Sequence, residues 1–145
     1  VGGRSSERSF KQASEAHQVQ VVGLQWFHWG IRTLEQEIDA LISMGAQAMV
    51  LVANAPEGAV AALAMAKRAI DKRVPIYSHW GITGGDFVQS VGLSTLNEVE
   101  LWVLQTASLS GGVANKALRD RVAQDYRIAF DPSADRMHIR APVGV

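Results

Sequence analysis

The 145-residue sequence predicts an α/β fold: a parallel sheet with helices on both faces, built as a single unit over residues 1–145. Three observations carry that expectation. Strand-like and helix-like segments alternate through four cycles, the order that builds parallel sheets. The run Ala46 to Ala53 is apolar throughout, as in a strand buried on both faces. The tetrapeptide His-Trp-Gly-Ile occurs twice, at His28 to Ile31 and at His79 to Ile82, each time just past a strand-like run.

Taken in order, Arg4 to His17 reads as a polar helix with Phe10 and Ala13 on one side. Gln18 to Phe27 alternates in part (Val19, Val21, Val22, Leu24, Trp26) and reads as a strand. Thr33, with Gln36 three residues on, has the spacing of a capping box. The helix it opens carries Leu34, Ile38, Leu41 and Ile42 as one apolar stripe and stops at Gly45. After the Ala46 to Ala53 strand, Asn54-Ala55-Pro56-Glu57 starts an Ala-rich helix reaching Lys72, with Pro in its first turn and Glu at its positive end. Val74 to Ser78 is a short strand. Thr83-Gly84-Gly85-Asp86 turns into a short helix, Phe87 to Val91, with Asp86 as its cap. Val99 to Thr106 is a strand and Val113 to Ile128 a last helix, followed by a polar, turn-rich tail.

Composition removes several function classes. Fourteen basic residues balance fourteen acidic ones, and neither sign forms a block that would attract nucleic acid or an acidic membrane. There is no cysteine, so neither a disulfide nor thiolate chemistry is available. No apolar run approaches the ~20 residues that cross a bilayer. The start, Gly2 to Ser9, is polar rather than leader-like, so an exported parent would carry its leader ahead of this segment.

The candidate chemistry points to binding rather than catalysis. His17, His28, His79 and His138 show no HxH or HxxxH spacing and have no acidic cluster beside them, so no metal site is expected. Ser78 precedes His79, but neighbours on a strand face opposite ways, and there is no G-x-S-x-G elbow. The Thr83 to Asp86 turn lacks the Lys-Ser/Thr of a phosphate loop. No cofactor is expected. Loops leaving the carboxyl ends of parallel strands are where α/β folds bind ligands. Trp29 and Trp80 sit in such loops beside glycine, where an indole can wall a small molecule. Trp26 and Trp102, within strand-like runs, are expected in the core.

The succession Gly3-Arg4-Ser5, VVGLQWF, LEQEIDALISMGAQAMVLVANAPEGA and KRVPIYSHWGITGGDF resembles the second lobe of type I periplasmic solute-binding proteins. That is the leucine/isoleucine/valine-binding class serving ABC importers, and the resemblance covers nearly the whole chain. It implies solute capture without catalysis, a location outside the cytoplasm, and a membrane permease as partner. The implied ligand-binding residues are Asn54, Ala55, His79 and Trp80, with His28 and Trp29 from the other loop. Where amino-acid binders place an aromatic before the Pro-Glu step, this chain has Asn54 or Ala55; where they place an acidic partner for the ammonium, it has Trp80. A further aromatic at the opening turn is represented by Gly2.

An indole in place of a carboxylate removes the counter-ion and offers a flat apolar face. The implied ligand therefore has an aromatic or apolar body and a carboxylate. The comparison also implies an incomplete fold, lacking a first lobe and a first strand, and hence self-association through an unpaired sheet edge. Two further readings share the fold class: a ligand-sensing domain of a transcription regulator or amide-type receptor, and a flavodoxin-like enzyme using His79 and Asp86.

Overall fold

The computed structural model describes residues 2–104, 116–117, 120, 129–131 and 136–138. The chain divides by its contacts into two compact units, Val1–Leu104 and Gln105–Val145. In the first, α1 (Gly2–Ala16) and α2 (Glu35–Ser43) precede β1 (Met49–Leu51), α3 (Ala55–Ala66) and β2 (Ile76–His79). Then follow α4 (Phe87–Val91), α5 (Leu93–Leu96) and β3 (Leu101–Leu104). The sheet is parallel in the order β1-β2-β3, with Met49 opposite Ile76 and Ile76 opposite Leu101. This establishes an α/β architecture. In the second unit β4 (Ala129–Asp131) pairs antiparallel with β5 (Arg136–His138), so His138 ends a strand where a polar tail was expected.

The helices form where the sequence places them. In α2, Leu34 and Ile38 are buried and Leu41 and Ile42 half-buried, as the stripe requires. Gly45, at φ +90°, ends the helix in a Schellman motif. Its N–H donates to the Ile42 carbonyl and that of Ala46 to the Leu41 carbonyl. The predicted capping box is shifted: Thr33 Oγ1 accepts from the Glu35 N–H, two residues on, and Leu34 takes the cap position. The Ala-rich α3 buries Ala59, Ala61, Ala62, Ala64 and Met65 against the sheet. It stops at Ala66, earlier than predicted, and Ile70–Lys72 forms a separate 3-10 turn. Arg73 closes that end, donating to the carbonyls of Ala66, Arg68 and Glu98.

Lys67 pairs with Glu35 at 2.6 Å and Arg68 with Asp39, clasping α3 to α2. The Lys67 ammonium holds the Glu35 carboxyl below the usual glutamate range. Its contribution to stability is therefore complete above that range and is lost as pH falls through the lowered value.

The core lies on one side of the sheet. Met49, Ile76 and Ser78 are buried beneath α2 and α3, whereas Val50, Tyr77 and Trp102, in register on the opposite face, are exposed. The expectation of helices on both faces is thus met on one face among the described residues. Strands added in a single direction send their crossovers over the same face, because each crossover takes the same hand. Trp102, expected in the core, instead stands on the open face, stacked on Tyr77 at 6.4 Å and donating from Nε1 to Glu100.

Trp26 is likewise 53 % exposed, and the strand predicted from Gln18 to Phe27 does not form. Alternation gives that segment an extended habit, but a strand needs a ladder partner, and among the described residues β1 pairs with β2 alone. The predicted helix Val113 to Ile128 lies outside the described residues apart from Lys116, Ala117 and Asp120, which are helical, and residues 141–145 lie outside them altogether. Among the described residues no helix is long and apolar enough to cross a membrane.

Candidate functional site

The candidate site is the carboxyl edge of β1 and β2. Because these strands are adjacent and parallel, the segments leaving them, Val52 to Ala55 and Trp80 to Thr83, emerge side by side. Asn54 caps α3 through its backbone: the Gly58 N–H donates to its carbonyl at 2.8 Å, and its exposed side chain makes no capping bond. That amide is left available to a ligand. Ala55, half-buried, is the first residue of α3.

Glu57, one turn into α3, is buried to 5 % exposure and accepts a hydrogen bond from the Gly30 N–H at 3.0 Å. This bond brings the first His-Trp-Gly loop to the same edge. Gly30 has φ +76°, a left-handed conformation that glycine adopts at no steric cost.

The second loop is held differently. His79 ends β2 and precedes a 3-10 turn, Trp80–Thr83, pinned by the Thr83 hydroxyl donating to the Trp80 carbonyl. His79 Nδ1 accepts from the Gly81 N–H at 3.1 Å. A neutral imidazole that accepts at Nδ1 carries its proton on Nε2, so Nε2 is a donor. That Nε2 is shielded from solvent and has no hydrogen-bond partner among the described residues. Trp80 meets His79 edge to face at 5.8 Å and is 61 % exposed. Gly81 lies so near the end of β1 that a Cβ there would fall 2.9 Å from the Ala53 carbonyl. The two loops and the Asn54 turn therefore converge.

An open trough of about 1330 Å³ starts at this edge. Asn54, Glu57, His79 and Trp29 border it, with Val50 and Val52 along one wall and Trp26 and Phe27 along another. Of the residues named from the sequence, the structure brings Asn54, His79 and Trp29 onto one cavity. Trp80, His28 and Ala55 stand at the same edge without lining it. The role of Glu57 escaped the sequence reading, which saw only a carboxylate suited to a helix start. A glutamate in the first turn of an otherwise apolar, buried helix is the signal that could have revealed it.

Other chemistry finds less support. The Ser78 hydroxyl is buried and spent on the Leu51 carbonyl at 2.8 Å. Asp86 takes the cap position of α4 as predicted, but its side chain makes no capping hydrogen bond. Among the described residues no group of three or more His, Asp or Glu could hold a metal ion. The arrangement offers an apolar trough, an indole wall, one amide and one imidazole donor, which together suit a small molecule with a carboxylate or carbonyl at one end. Comparison with family models, with curated proteins and with solved structures finds no match for this chain.

Proposed function

We propose that this chain is a ligand-binding lobe of a solute receptor, the extracytoplasmic component of an ABC importer whose membrane permease is its partner. In this reading it captures a solute with an aromatic or apolar body and a carboxylate, and carries out no reaction. The observation that supports it best is the meeting of Asn54, Trp29 and His79 around one largely apolar trough. The Gly81 N–H holds the imidazole through Nδ1 and so fixes Nε2 as a donor, which a carboxylate reaches once the ring's cover shifts to expose it. The exposed indole of Trp29 supplies a flat apolar wall, and that of Trp80 stands exposed at the same edge. Type I receptors grip solute between two lobes, so this one supplies about half the contacts. A micromolar complex corresponds to about −8 kcal/mol, and half of that is a dissociation constant near 1 mM.

Calorimetric titration of the chain with phenylacetate and with leucine tests the reading. Millimolar binding of phenylacetate, lost in His79→Ala and absent for leucine, is expected. Tight binding of leucine with none of phenylacetate, or phenylacetate binding that is indifferent to His79→Ala, refutes it.

A further inference from the structure

Part of the trough's lining, on α1 and Trp26, also forms a smaller concavity of its own. Arg4, Glu7, Arg8 and Lys11 fall at i, i+3, i+4 and i+7, so one face of that helix carries all four. They line a concavity of about 630 Å³ whose opposite wall is Trp26. The indole is held close to the helix because Gly3 has no side chain: a Cβ there would sit 2.8 Å from Trp26 Cζ3. Trp26 nevertheless remains more than half exposed.

The charges in this pocket are unevenly satisfied. Glu7 pairs with Lys11 at 2.5 Å, while Arg4 and Arg8 have no carboxylate partner among the described residues. Two like charges four apart on a helix repel, which disfavours the helix unless an anion lies between them. In a chain of zero net charge this is a local pair rather than part of a general basic surface.

We infer that Arg4, Arg8 and Trp26 form an anion site for a small phosphorylated molecule with a flat ring. Two guanidinium forks match the oxygens of one phosphate, and the indole takes the ring on its face. The volume is that of a small-molecule site. A nucleic-acid strand would need a continuous basic track, which Glu7 interrupts and the neutral chain does not extend. Arg4 and Trp26 also line the trough that reaches Asn54 and His79, but none of the three residues lies on the loops leaving β1 and β2, so the inference does not rest on the solute reading.

Calorimetry on the full chain with adenosine 5′-monophosphate, adenosine and inorganic phosphate tests it. The nucleotide should bind at least tenfold more tightly than either half, and more weakly as salt rises. Arg4→Gln with Arg8→Gln should reduce it to the level of adenosine, and Trp26→Leu to the level of phosphate. Lys72→Gln, which removes one exposed positive charge that lines neither cavity, should leave nucleotide binding unchanged. The exposed arginines carry no folding role, and circular dichroism checks that each variant stays folded. A nucleotide that binds no better than phosphate overturns the site, as does one unaffected by the double arginine change. Loss of binding in His79→Ala equal to that in the arginine variant also overturns it, by moving the anion to the other end of the trough.

Discussion

The two His-Trp-Gly-Ile segments have the same four residues and opposite structural fates. The first follows an unpaired extended segment; its histidine and tryptophan face solvent, Trp29 at 79 % exposure, and its Ile31 is half-buried. The second follows β2, the central strand, and its Ile82 is fully buried beneath α3. Gly58 of α3 permits this: a Cβ at Gly58 would lie 2.7 Å from Ile82 Cγ2. One loop is anchored from below by an apolar side chain and the other from the side by the Glu57 carboxylate. A short motif therefore specifies which side chains are offered, while the neighbouring strand decides how firmly they are held.

That contrast can be broken from either end. Ile82→Ala should give the largest effect, a loss of about 2–5 kcal/mol in urea unfolding, because it opens a cavity in closed packing. Ile31→Ala at the matching position should cost about 1 kcal/mol, being half in water already. Glu57→Ala should cost about 2 kcal/mol by stranding the Gly30 N–H. It should also shift the emission of Trp29 while leaving the His79–Trp80 turn unchanged, which a Trp29→Phe background would confirm. The glycine pair tests the same contrast in the backbone. Gly30→Ala meets nothing within 4 Å but must keep φ +76°, a cost of about 1 kcal/mol. Gly81→Ala, facing the His79 ring and the Ala53 carbonyl, should cost more than Gly30→Ala and weaken any ligand that depends on His79. Equal losses for the two isoleucines would show that the loops are anchored alike.

What was legible in the sequence follows the range of the forces involved. The α2 stripe with its Gly45 stop, and the span of α4, rest on local periodicity and backbone preference, and they form as predicted. The three strands appear where apolar runs were seen, each starting later because only the laddered residues qualify, while Gln105 and Thr106 of the third run lie outside the described residues. The segment Gln18 to Phe27 shows the limit: alternation is local, whereas a strand is a relation between two segments. The edge site was half legible. Loops past parallel strands mark such sites in general, so His79 and Asn54 could be named, but the bond from Gly30 to Glu57 spans 27 residues and leaves no periodic trace. Arg4 and Arg8 went unremarked because a polar helix face is ordinarily a solvated one.

The three parallel strands stand in space in the order in which they are joined along the chain. During synthesis from the amino terminus each new strand emerges to find its neighbour already made, so the sheet can grow one edge at a time as the ribosome advances. Each step waits on the closure of a helical crossover, residues 52–75 and then 80–100, whose entropy cost rises slowly with length. An assembly line of this kind places the last strand, β3, latest, and a pause in translation shortly before it would leave a two-stranded intermediate with Tyr77 at its open border.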